Sequence, residues 1–384
     1  MRPFNPSVKM SASKIRVGIA GSGNWTRYGH LPVLQLLPEY EIAGIWSRRR
    51  ENSEATAKDY GIARVFDDPH ELARHPDIDL VAVLTPAPQH AEIARTAIAA
   101  GKDVYCEWPL TTTIADSEDL LSRARVAGVR HVVGLQRRVG SGARHAHDLI
   151  AQGYVGTLRS VRLHVSMEYF TEMRSPGLAW TIDPANFSHI LSIYGGHFLD
   201  LLFHIVGAPH TVSAVLATQF PTLTLEETGE SFPNRTPDQA ALVGTLQDGA
   251  VYLVQIEGGR RNNAGLQIDI TGMDGTLRIS NVASFGNRDS DVIEGAQGSG
   301  QSLRRLPIPT SYEDGVPSSS LDASVLDLAH LYAAFSRDRT SGNHTAPDFE
   351  DAVRLHKFIA LIEQAASSGT RLAIDEAAAH PLNP

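Results

Sequence analysis

The sequence predicts an α/β chain in two parts. A doubly wound parallel sheet occupies residues 14–135, and an α+β domain with a large, open, mostly antiparallel sheet occupies 136–384. Three observations carry this expectation. Short apolar runs alternate with helical segments between residues 16 and 134. The run Leu80-Val81-Ala82-Val83-Leu84 is apolar at every position, as in a strand buried on both faces. Beyond Gly134 the pattern changes to alternating apolar and polar residues separated by turn residues, the habit of antiparallel strands.

The elements follow in order. Residues 17–20 form a buried strand, closed by Gly21-Ser22-Gly23 and followed by a helix through Leu37. Residues 41–46 and 80–84 supply two more strands. Residues 91–100 have helical spacing and stop at Gly101, a residue suited to the left-handed conformation that ends helices. Strands at 103–106 and 130–133 enclose a helix at 117–127. Right-handed crossovers bring the C-terminal ends of such strands to one edge, where ligands bind. In the second part a helix at 141–152 precedes a strand at 158–167, in which Val161, Leu163 and Val165 alternate with polar neighbours. Strands are expected at 211–218, 240–246, 250–257, 266–271 and 276–279. Residues 286–320, rich in Gly, Ser, Pro and Asp, read as a long loop, and 324–336 and 347–367 as closing helices.

At 384 residues, 42% hydrophobic and 20% charged, the chain has the composition of a globular enzyme with room for two cores. A net charge of -9 argues against nucleic-acid binding through a basic face, and leaves a local site for an anionic cofactor open. The single cysteine, Cys106, excludes an internal disulfide and falls in an apolar strand, as a buried inert thiol does. No apolar run of ~20 residues suggests a membrane span. Residues 1–13 are polar, contain Pro3 and Pro6, and read as a loose tail rather than a secretory signal. The expected address is cytoplasmic.

Gly21-Ser22-Gly23 lies between a strand and a helix, the context in which glycines let backbone approach a pyrophosphate. Thr26 stands at the third glycine position and Gly29 one turn later. Asn24 and Trp25 open the helix and are expected to border the cofactor. An ordinary strand–helix turn has the same look; the position in the first of several βαβ units favours the dinucleotide reading. After the second strand comes Ser47-Arg48-Arg49-Arg50, where an NAD site places a carboxylate for the ribose. The hydroxyl of Ser47 with the guanidinium of Arg48 suits a 2′-phosphate, so NADP is expected, with NAD as the alternative. A solvated basic helix start is the plainer reading of the same arginines.

These residues, together with Thr85-Pro86-Ala87-Pro88-Gln89-His90, Glu107-Trp108-Pro109, Gly134-Leu135-Gln136-Arg137-Arg138, Gly153-Tyr154-Val155-Gly156 and Gly195-Gly196-His197-Phe198-Leu199-Asp200, resemble the Gfo/Idh/MocA oxidoreductase family over nearly the whole chain. No single motif is specific; their order and spacing are. The resemblance implies a Rossmann domain whose Thr85, Pro86, His90, Glu107 and Trp108 flank a nicotinamide. It also implies a homodimer or higher homo-oligomer, formed through the free face of the second sheet.

The same resemblance assigns His197 to the histidine that handles the substrate hydroxyl. The family's lysine position holds Trp108, and its aspartate position holds Ile193. Lysine supplies charge and proton transfer; an indole does neither, though it stacks on flat rings. Tyr194 is then a candidate replacement donor. Arg137 is a candidate for a substrate oxygen or for a carboxylate, and Trp180 and Asp183 match a segment that reaches substrate. A metal at the helix-spaced His197, Asp200 and His204 is rejected for want of a further ligand. The tryptophan variant is similar to the branch related to the yeast galactose-pathway repressor, which binds a dinucleotide and regulates through protein contacts. Two readings result. One is an NAD(P)-dependent oxidoreductase on a sugar, cyclitol or related polyol, with His197 and Tyr194 catalytic. The other is a non-catalytic NAD(P)-binding regulator acting through protein partners. Neither involves direct contact with nucleic acid or a membrane.

Overall fold

The computed structural model describes residues 14–259, 262, 265–285 and 291–374. Five strands, β1 (Ile15–Ala20), β2 (Tyr40–Trp46), β3 (Leu80–Val83), β4 (Asp103–Cys106) and β5 (His131–Val133), pair in parallel in the order β2-β1-β3-β4-β5. All four residues of β3 are buried, because helices cover both faces of the sheet. Those helices are α1 (Leu31–Leu36), α2 (Arg50–Tyr60), α3 (Pro69–Arg74), α4 (His90–Ala99) and α5 (Ile114–Ala127). A wider π-helical turn, Thr26–His30, leads into α1. Helix α4 stops where expected, with Gly101 at φ +69°. Helix α5 starts three residues before the apolar pattern suggests, because the Thr113 side chain accepts a hydrogen bond from the Asp116 backbone NH at 3.1 Å and caps it.

The second part begins with α6 (Ser141–Ala151), β6 (Leu158–Ser166), β7 (Met173–Arg174) and α7 (Gly196–Val206). Then come β8 (Pro209–Ala217), β9 (Thr222–Leu225), β10 (Ser231–Pro233), β11 (Gln239–Leu246), β12 (Val251–Glu257), β13 (Gly265–Gly272) and β14 (Gly275–Asn281). The chain closes with β15 (Val292–Gln297), β16 (Arg304–Arg305), α8 (Ala323–Ser341), α9 (Phe349–Ser368) and β17 (Leu372–Ala373). Nine of these strands form one sheet, β16-β15-β14-β13-β6-β12-β11-β8-β17, antiparallel except for the parallel pair β6 and β12. Val161, Leu163 and Val165 point inward, each no more than 1% exposed. Short β7, β9 and β10 make a separate three-stranded sheet.

Two expectations need correction. The supposed loop at 286–320 contains β15 and β16; residues 286–290 lie outside the described residues. The segment Val292-Ile293-Glu294-Gly295 combines two strand-favouring residues with two disfavoured ones, and pairing with β14 buries Ile293 to 1% exposure. Second, a linear boundary at 135 misses α8. Its Val325, Leu328, Leu331 and Tyr332 share a core with Ile15, Val17, Leu31 and Tyr40 of the parallel-sheet domain. Tyr332 stacks on Tyr105 of β4 with centroids 5.0 Å apart, and the Tyr40 hydroxyl donates to the Tyr332 carbonyl at 2.7 Å. One helical stretch, Pro184–Val206, has the length and mean hydropathy, 1.2, of a membrane span. Most of its apolar window, 83%, is buried inside the protein, which is the condition of a core helix.

Candidate functional site

Strand order reverses direction between β1 and β3, so a crevice opens at their C-terminal ends. Gly21 ends β1 with φ +126°, and a Cβ there would lie 2.6 Å from the Leu84 carbonyl oxygen. No other residue permits that approach. A Cβ on Gly23 would meet nothing within 4 Å, so this turn presents open backbone to the crevice, with Asn24 exposed and Trp25 half-buried beside it. The hydroxyls of Thr26 and Thr85, one from each side, are buried without a hydrogen-bond partner. An open glycine turn at a helix start flanked by unpaired hydroxyls fits a dinucleotide's pyrophosphate.

At the end of β2 the Ser47 hydroxyl donates to the Arg49 carbonyl at 2.8 Å, leaving its oxygen free to accept. Arg50 is engaged by Glu54 at 2.7 Å and by Asp67. Arg48 is exposed and makes no ion pair among the described residues.

The loops after β3 and β4 form the next wall. Pro86 is exposed. His90, expected to touch cofactor, is 1% exposed, and its ring nitrogens face the carbonyls of Pro109 at 2.9 Å and Thr85 at 2.6 Å. It ties the two loops together, and has no free atom for a ligand. Glu107 receives His30 Nε2 and the Tyr105 hydroxyl, both at 2.8 Å on Oε1. Burial alone would raise the Glu107 pKa; the His30 hydrogen bond and charge, with Tyr105, bring it below the usual carboxylate value. Trp108 does not stand in the cleft as expected. It is 5% exposed, its Nε1 donates to the Ser192 carbonyl at 2.8 Å, and its ring packs on His356 at 4.8 Å. Gly196 makes room for it, since a Cβ there would come 2.2 Å from Nε1.

That contact sets His197 beside the Glu107-Trp108 turn. His197 is 7% exposed, and its Nδ1 is buried without a partner. Burial lowers its pKa to about 4; the Glu107 carboxylate opposes this shift and the Arg137 cation adds to it. The ring is therefore neutral at pH 7 and able to accept a proton. Tyr194 is half-buried, stacked on Tyr169 at 5.5 Å, and burial pushes its phenol far above the ordinary range. It stays protonated.

Arg137 resolves toward the carboxylate alternative: its guanidinium pairs with Asp327 at 3.0 Å and Asp291 at 3.2 Å. Trp180 is half-buried on a short 3-10 turn, and exposed Asp183 caps the next turn by accepting from the Ala185 NH at 2.9 Å. Asp200 pairs with Arg138 at 2.9 Å, and Arg138 also reaches Asp351 at 3.1 Å. Among the described residues no group of three or more His, Cys, Asp or Glu could hold a metal.

Sequence reasoning missed His30, Tyr332 and Phe285. His30 is fully buried and joins Glu107 to the Tyr332 hydroxyl at 2.8 Å. Its one signal was position, a lone imidazole one turn beyond the glycine motif. Phe285 meets the His197 ring edge-on at 5.4 Å, and nothing near it in sequence announces that contact.

A parallel sheet with an open glycine turn at its switch point, joined to a second domain whose helix α7 carries a buried histidine, defines a two-domain dinucleotide-binding protein. Residues 15–135 match the oxidoreductase family with an NAD-binding Rossmann fold, Gfo/Idh/MocA, and residues 143–281 match the C-terminal domain of Gal80p. The chain is 32% identical over 248 residues to dehydrogenase aclE of Aspergillus oryzae, spanning 61% of this chain and 68% of that one. It is 27% identical over 301 residues to the galactose/lactose metabolism regulatory protein GAL80 of Kluyveromyces lactis, spanning 72% and 65%. The fold superposes on levoglucosan dehydrogenase in complex with NADH and L-sorbose with a TM-score of 0.83, at 21% identity, covering 95% of this chain and 100% of that one. The protein belongs to the Gfo/Idh/MocA oxidoreductase family, with a second domain of the Gal80p type.

Proposed function

We propose that the protein is an NAD(P)-dependent oxidoreductase that interconverts a secondary alcohol and its ketone on a sugar, cyclitol or related ring. The observation that carries this reading is the neutral, partnerless His197 beside the Glu107-Trp108 turn. A bound nicotinamide would exchange a hydride with the carbinol carbon. The chain's own part is proton handling and positioning. His197, neutral at pH 7, is the imidazole suited to take the hydroxyl proton, directly or through one water. Glu107 offsets the charge that then develops on the imidazole. Tyr194, protonated throughout, is suited to donate a hydrogen bond to the substrate oxygen.

NADP is the preferred cofactor in this reading, since Arg48 is unpaired behind β2 where a carboxylate would select NAD. Among further relatives, the scyllo-inositol 2-dehydrogenase (NADP(+)) IolW of Bacillus subtilis is 28% identical over 285 residues.

A second reading has its own observation. Trp108 replaces lysine and is built into the core, and Ile193 replaces aspartate, so two family groups for alcohol chemistry are absent. A non-catalytic dinucleotide-binding regulator needs neither, and the galactose/lactose metabolism regulatory protein GAL80 of Kluyveromyces lactis is among the relatives. Titration with NADPH, then addition of ring alcohols and ketones, separates the two. Redox change of the bound nicotinamide supports the enzyme. Tight binding with no redox change across the panel overturns it in favour of the sensor.

A further inference from the structure

Around His197 the described side chains supply rings. Phe285 meets the imidazole at 5.4 Å, Tyr194 at 5.3 Å and Phe198 at 5.1 Å. Tyr194 lies parallel to Tyr169, with planes 10° apart, and takes Phe170 edge-on at 5.4 Å. This group is not sealed in the core: Tyr169 is 54% exposed, and Phe170, Tyr194 and Phe285 are half-buried.

The groups that would hold the several hydroxyls of a bare polyol are committed elsewhere. Arg137 is held by Asp291 and Asp327 and the Trp108 NH by the Ser192 carbonyl, while exposed Asp183 gives one oxygen to its own turn. Position 193 is isoleucine. A polyol pressed against this wall would lose water at hydroxyls that gain no partner, which is costly. An aryl ring carries no such hydroxyls and gains offset or edge-on contacts.

We infer that the substrate is a ring alcohol, or its ketone, bearing an aryl group, with the reacting carbon at His197 and the aryl ring against Tyr169, Tyr194 and Phe285. This rests on the oxidoreductase reading and narrows its substrate class. Tyr169 is the specificity-determining residue, because it offers the most open ring of the group.

The test uses the full chain loaded with NADPH or NADP and matched compounds: methyl and phenyl glycosides of the same hexoses, and cyclopentanol with 1-indanol. Binding is read by calorimetry and turnover by nicotinamide absorbance. The aryl members are expected to bind about tenfold tighter, the scale of one aromatic contact, and to show a similar gain in kcat/KM. Equal or reversed preference overturns the inference while any turnover keeps the oxidoreductase reading. Tighter aryl binding with no redox change for any compound does the opposite. Absence of binding by every compound overturns the aryl site as well. Tyr169→Ala should reduce the aryl advantage to under about threefold and Tyr169→Phe should keep it, since the ring and not the hydroxyl makes the contact. An undiminished advantage in the alanine variant, with native circular dichroism, removes Tyr169 from the site.

Discussion

His30 donates from Nε2 to Glu107 Oε1 at 2.8 Å, latching the helix after the glycine turn to the end of β4. Glu107 is ionised, so it accepts, and His30 Nδ1 lies 2.8 Å from the Tyr332 hydroxyl on the other side of the ring. Three elements far apart in sequence thus converge on one carboxylate.

Removing His30 leaves that carboxylate short of its principal donor. His30→Ala should destabilise the protein by about 3–5 kcal/mol, the usual loss when one partner of a buried pair is deleted. Tyr332→Phe should cost only about 1 kcal/mol, one neutral hydrogen bond. Urea unfolding followed by tryptophan fluorescence measures both; equal losses would mean the latch does not centre on Glu107. Because the folded Glu107 pKa lies below its ordinary value, its share of stability is present above that value. It disappears as pH falls through the folded one.

The acid limb of activity should sit unusually low. A histidine base normally loses function near pH 6.5, but burial holds His197 near 4. Under the enzyme reading, kcat/KM should stay level from pH 8 down to about 5 and fall only below that. A fall centred near pH 6.5 would remove His197 as the group that titrates. Folding carries a linked cost: an imidazole whose folded pKa is depressed makes the native state bind fewer protons than the unfolded chain. Stability therefore declines as pH drops below about 6.5, and His131, His330 and His356, each lowered to about 4 with burial the leading cause, should steepen that decline.

Arg48→Ala should weaken NADP binding by about 1.5–3 kcal/mol, the range for a charged hydrogen bond, with NAD little affected. The comparison belongs at low ionic strength, since Arg48 is exposed and salt screens it. Equal losses for both cofactors would assign the 2′-phosphate elsewhere.

Placing at position 108 the lysine that the family resemblance implies there should cost stability. Trp108→Lys removes a ring that fills the space between Gly196 and His356 and buries an ammonium in its place. A loss of about 3 kcal/mol or more is expected, the cost of emptying a large aromatic site. A variant as stable as the parent would show that the indole is not a packing element.

Much of the parallel sheet was legible because apolar runs such as residues 80–83 admit no other placement, and Gly21 announced itself by its position after β1. Helix α8 was legible as a helix but not as part of the cofactor domain, because periodicity reports that Leu328 and Tyr332 are buried and not against what. Trp108 was read as a cleft residue from its motif position. Its burial depends on Gly196, a partner 88 positions away, that only the folded chain reveals. His90 was read as a ligand contact for the same reason, although both nitrogens lie against backbone carbonyls within the protein.

The return of α8 to the first sheet also orders events during synthesis. As the chain leaves the ribosome, the nucleotide-binding half emerges early, yet Tyr40 and Tyr105 wait for Tyr332. That half completes its core only after α8 has been made, so the nucleotide-binding half must be carried, unfinished, until then.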